Sequence, residues 1–143
     1  MSLQNPSDFT TSDHDGYIQF DGAIDIPQTV AGTSASATGT ALRSAGTALV
    51  SSTQAAAYYT LTQPLATPRN TTAAGYRKTI IATAGTTSLT IVINSSGATF
   101  DGTNNIATMN TGTTGPTSLD LISLSTTRWY IKGNVGSVVF TTS

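Results

Sequence analysis

The chain has no cysteine, no glutamate and only one histidine. Without cysteine, neither disulfides nor thiolate metal sites support the fold, so stability must come from packing or from assembly with partners, as suits a reducing cytosol. Charge is scarce as well: Lys, Arg and Asp make up 9% of the residues, against roughly a quarter in ordinary globular domains. Six basic residues stand against seven acidic ones, a net charge of -1, which leaves no basic field to draw nucleic acid or an anionic membrane. The N-terminus MSLQNPSDF lacks the basic start and apolar stretch of a signal peptide, and no apolar run approaches the ~18 residues of a membrane span. The expectation is a chain made in the cytoplasm, with neither nucleic acid nor membrane as a partner.

Threonine fills much of the space that charge leaves. The 29 threonines are a fifth of the chain, and β-branched Thr suits a pleated surface better than a helix. From Met1 to about Asp15 the sequence is polar, contains Pro6 and shows no sustained period, which reads as an extended arm whose large apolar anchor is Phe9. Tyr17–Phe20 and Ala23–Ile26 flank Asp21-Gly22, a dipeptide suited to a type I′ turn, so a small hairpin is expected before Pro27. The stretch 28–54 is rich in Ala, Gly, Ser and Thr. It reads equally as a low-complexity linker or as short strands whose small side chains let two backbones approach, as where subunits meet.

Strand signals dominate from residue 55 onward. Tyr59 and Leu61 share one face of a strand, Lys78–Ile81 begins another, and Leu89, Ile91 and Ile93 alternate with Thr90, Val92 and Asn94. Turns are expected at Asn94–Gly97 and Asp101–Asn105. Apolar parity switches between Leu121 and Ile122, implying a bulge or a strand buried on both faces. Arg128–Lys132 and Ser137–Phe140 read as a C-terminal hairpin joined through Gly133–Gly136. Trp129 is in phase with Ile131 and reads as core, while Tyr130 shares the opposite face with Arg128 and Lys132. A helix over Ala41–Ala57 is opposed by Gly46 and the many Ser and Thr. The organisation expected is therefore an arm with a candidate hairpin (1–27), a connecting or subunit-contact segment (28–54), and an antiparallel β-sandwich or jelly-roll-like domain (55–143).

Reactive groups are few. His14 lies between Asp13 and Asp15, but adjacent strand residues point to alternate faces and no second His exists to complete a metal site. A Ser-His-Asp arrangement would rest on that same histidine. Asp101 and Asp120 invite a paired-carboxylate reading, yet Asp101 precedes a turn glycine and Asp120 alternates with Leu119 and Leu121 as an outward strand position. No enzyme activity, metal or cofactor is expected. Tyr58, Tyr76 and Tyr130 are the candidate surface-binding aromatics.

The later part of the chain, with its succession Tyr59-Thr60-Leu61, Lys78–Ile81, Leu89–Asn94, Phe100-Asp101-Gly102, Ile106–Thr108, Leu119–Ile122 and Arg128-Trp129-Tyr130-Ile131, resembles a group of phage virion modules. These are the small β-sandwich or jelly-roll domains of capsid decoration (cement) proteins, head fibres and tail-fibre tips. The resemblance implies a structural protein of the outer capsid surface that binds and stabilises the major capsid protein, as a homotrimer. Phe9, Tyr17 and Phe20 are then the candidate capsid-contact residues of the arm. The alternative under the same resemblance is a head- or tail-fibre tip that binds a receptor or host glycan through the tyrosines.

Overall fold

A computed structural model describes residues 27–32, 39–51, 56–83, 89–111 and 116–143. Among these the fold is all-β, two facing sheets with no helix. The strands are β1 (Gln28–Ala31), β2 (Thr40–Leu42), β3 (Gly46–Ser51), β4 (Ala56–Thr62), β5 (Arg77–Ala82), β6 (Leu89–Ser96), β7 (Thr99–Phe100), β8 (Ile106–Thr111), β9 (Thr117–Ser125), β10 (Arg128–Val135) and β11 (Ser137–Thr141). The first sheet runs β1-β3-β5-β9-β10-β7 and the second β11-β8-β6-β4-β2. The expected hairpin at Tyr17–Ile26 and the arm anchors lie outside the described residues.

Up to β6 the chain alternates strictly between sheets, and successive visits pair parallel: β1 with β3 and β3 with β5, β2 with β4 and β4 with β6. From β8 onward pairing is antiparallel, apart from the parallel contact of β10 with the two-residue β7. The two-layer architecture is the one read from the sequence, but its antiparallel character holds only in the C-terminal half. The physical reason is that side-chain alternation reports which face is buried and carries no information on strand direction.

Residues 28–54 contribute three strands, with Leu42, Ala48 and Val50 fully buried in the shared core. The small residues there do allow close backbone approach, within the one chain. A Cβ on Gly39 would stand 2.8 Å from the Tyr59 backbone, and one on Gly32 would stand 2.5 Å from the Ala57 Cβ. Tyr59 is the post around which this region closes. Its ring is buried, and its hydroxyl accepts from Ser51 N–H at 3.1 Å and faces the carbonyl oxygens of Val30 and Ser51 at 3.1 and 2.5 Å. Burial pushes the Tyr59 phenol above its ordinary value, against the opposing hydrogen bonds to the backbone of Ser51 and Gly32.

The expected C-terminal hairpin is absent. β10 pairs with β9 in the first sheet and β11 with β8 in the second, so the chain changes sheets at Gly136. A single residue cannot reverse a strand within one ladder, but at φ +80° Gly136 turns it across the layer. The antiparallel ladder between β9 and β10 slips twice: Leu124 is extra on β9 and Lys132 is extra on β10. The parity switch at Leu121–Ile122 does not alter burial. Thr117, Leu119, Leu121 and Ser123 all face inward, and Ile122 and Leu124 face out.

Candidate interaction surface

The inner faces are closed by an apolar core in which Lys78, Thr117 and Ser123 are also buried, so the surfaces available for function are the two outer faces and the ends. On the first sheet, Arg77, Ile122 and Tyr130 stand in one cross-strand row over β5, β9 and β10. Leu49, Ile81, Ser118 and Val135 form another. Between them, the Thr79 hydroxyl donates to Asp120 Oδ1 at 2.7 Å. Leu124, Tyr130 and Val135 are exposed by 48%, 55% and 65%, so this face is a mosaic of apolar side chains and the charges Arg77, Arg128, Lys132 and Asp120.

The second sheet is chemically different. None of its five strands contains a charged residue. Its outer face carries the in-register rows Tyr58–Val92–Thr108–Val139 and Thr60–Asn94–Ile106–Thr141. Burial of such a face costs no charge desolvation, and contact with another protein at its centre resembles the charge-poor middle of protein interfaces.

The structure does not gather the three candidate tyrosines. Tyr58 lies half-buried on the outer face of the second sheet and Tyr130 is exposed on the first. Tyr76 precedes β5, where its N–H donates to the Ser123 hydroxyl at 2.8 Å and its carbonyl accepts from Ser123 N–H at 2.9 Å. The buried Ser123 hydroxyl also donates to the Ala73 carbonyl at 2.6 Å, locking the 70–76 loop against β9. Phe9, Tyr17, Phe20 and His14 lie outside the described residues.

Asp101 builds a turn, as its position before Gly102 suggests. It adopts φ +54°, and its Oδ1 accepts from Thr103 N–H and Asn104 N–H, each at 3.3 Å. Burial pushes its carboxyl upward, but the amides of Asn104 and Thr103, the Asn104 side chain and the Arg128 guanidinium together hold it below the ordinary 3.8. A depressed carboxyl adds stability that is complete above the unfolded value and is lost as pH falls through the folded one. Melting temperature should therefore fall more steeply below pH 3.8 in the wild type than in Asp101→Asn. Parallel pH profiles would count against this role. Beside the turn lies a cleft of about 400 Å³ whose lining residues include Ser95, Ala98, Thr99, Thr103, Asn105 and Thr142.

Two signals were in the sequence but unread at the level of motifs. One is the absence of charge from β2, β4, β6, β8 and β11. The other is charge segregation: Asp8, Asp13, Asp15, Asp21 and Asp25 precede Pro27 with no Lys or Arg among them, while all six cations and only two acids follow it. The first 26 residues thus carry -5 and the remainder 6 - 2 = +4. The chain matches no protein-family model, and no curated protein is similar to it.

Proposed function

We propose that this protein is a structural component of a phage particle, a decoration protein that binds the outer capsid surface and stabilises it. The observation that carries the reading is the uncharged second sheet: a broad face of Thr, Asn, Val and Tyr without one Lys, Arg or Asp in its strands. Free surfaces of soluble domains rarely dispense with charge over such an extent, whereas surfaces buried against another protein do. The acidic, aromatic-bearing segment before Pro27, with Phe9, Tyr17 and Phe20, is the attachment arm under this reading, and its five aspartates select a basic partner surface. Polyvalent placement around a capsid symmetry axis would let weak contacts add up. The glycan-binding alternative draws less support, because Tyr58 and Tyr130 lie on different sheets and Tyr130 alone of the three tyrosines is strongly exposed.

The reading is tested by sedimenting the full-length protein with purified capsids. Wild type should pellet with them. Thr108→Lys, which places a charge mid-sheet on the outer face, should weaken binding by about tenfold or more while leaving the circular dichroism spectrum unchanged. A wild-type protein that stays in the supernatant at all salt concentrations would contradict the proposal.

A further inference from the structure

Among the described residues each sheet ends in two edges, and three of these four edges are blunted. β1 is four residues long and follows Pro27, which has no N–H to donate. β2 has three residues, and the Gln28 side chain occupies its flank, donating from Nε2 to the Ala41 carbonyl at 3.1 Å and accepting from Arg43 N–H at 3.0 Å. β7 is two residues long, and the part of β10 that it leaves open carries the charge of Lys132 and the bulge there. The fourth edge, β11, has none of these protections. Ser137–Thr141 runs five residues with unbroken register against β8, and its Ser-Val-Val-Phe-Thr sequence holds no charge, proline or bulge. The strand is held straight beyond its end, where Asn105 Nδ2 donates to the Ser143 hydroxyl at 2.8 Å and Ser143 N–H donates to Asn105 Oδ1 at 2.9 Å. Among the described residues no strand pairs with its outer side. An unprotected, uncharged edge of this length is a template for strand addition.

We propose that the occupant of this edge is β11 of a second copy, added antiparallel about a two-fold axis through Val139. The strand is compatible with its own copy. Inward and outward residues must stay on their own faces, which restricts the register to same-parity pairs, and centring on Val139 is the choice that pairs all five residues. Val138 then meets Phe140 of the partner subunit, Ser137 meets Thr141 of the partner subunit, and Val139 meets Val139 of the partner subunit. No like charges oppose one another. Val138 and Phe140 pack against the core but are only half-buried, and Phe140 leans on Phe100 with ring centres 5.7 Å apart. The second copy covers their open side and continues the uncharged sheet across two molecules. Antiparallel pairing of identical edges closes at two, whereas the phage resemblance implies three copies.

A contact of one five-residue strand is small beside the ~1,200 Å² of stable complexes, so association is expected to be weak and visible only at high protein concentration. Analytical ultracentrifugation of the full chain should show a concentration-dependent monomer–dimer equilibrium, abolished in Val139→Lys, whose side chain is 49% exposed and so tolerates the change. Because the chain has no cysteine, Val139→Cys should form a covalent dimer under mild oxidant at least tenfold faster than Val135→Cys, on the other sheet. A monomer at all concentrations, a trimer, a dimer undisturbed by Val139→Lys, or equal cross-linking of the two cysteine variants would each overturn the proposal. These measurements use the protein without capsids, so their failure is separate from failure of the decoration reading.

Discussion

Trp129→Ala is expected to cost about 3–5 kcal/mol, a large share of the roughly 5–15 kcal/mol that holds an ordinary domain folded. Trp129 is the largest fully buried side chain and joins strands from both sheets in one core cluster. It sits on β10 opposite the buried Ser123 and beside Phe100 of β7, so its loss opens a cavity where the first sheet narrows to its shortest strand. The indole Nε1 has no hydrogen-bond partner among the described residues. A buried donor without a partner costs about 1–3 kcal/mol, which partly offsets what the ring contributes. Trp129→Phe should therefore lose much less than the volume change alone implies, and far less than Trp129→Ala. Urea unfolding followed by circular dichroism measures both. Equal destabilisation by the two variants would mean that the indole N–H has a partner and that the ring's edge, rather than its bulk, holds the site.

Removal of Tyr59 should be similarly damaging, for a different reason. Tyr59→Ala deletes the ring against which Gly32 closes and should cost about 3–5 kcal/mol. Tyr59→Phe keeps the ring but leaves the Val30 carbonyl and the Ser51 N–H without the hydroxyl, a cost of about 1–3 kcal/mol. Trp129, the single tryptophan, serves as the fluorescent reporter of unfolding for both. If Tyr59→Phe is neutral, the hydroxyl does not tie β1 to β3, and the N-terminal strands are held by their ladders and apolar contacts alone.

How much of this was legible in the sequence follows from what each signal encodes. Alternation in Ala57–Leu61, Ile91–Asn94 and Leu119–Leu121 identified strands and their buried faces, because a period of two is imposed by the pleat. Trp129 in phase with Ile131 was read as core on the same ground, and it is fully buried. Pairing partners were not legible. Two adjacent strands such as β10 and β11 look like a hairpin whether the residue between them reverses the chain within a sheet or carries it across, and only the backbone of Gly136 decides. Nor was the role of residues 28–54 decided by composition. Gly32 and Gly39 are required where Tyr59 and its backbone pass within contact distance, and the same small residues would serve a linker equally well. The candidate surface was hidden differently. Its signal is an absence of charge distributed over β2, β4, β6, β8 and β11, strands far apart in sequence that become one face only once their order is known.

The proposal on which the rest depends is that this molecule works by adhesion to the outer surface of a phage head. Immunogold electron microscopy of purified virions from a lysate containing the protein tests it most directly. The account predicts gold on the surface of intact heads, removed when free protein competes for the antibody. Label confined to unassembled material, or found on tail tips with bare heads, would contradict it.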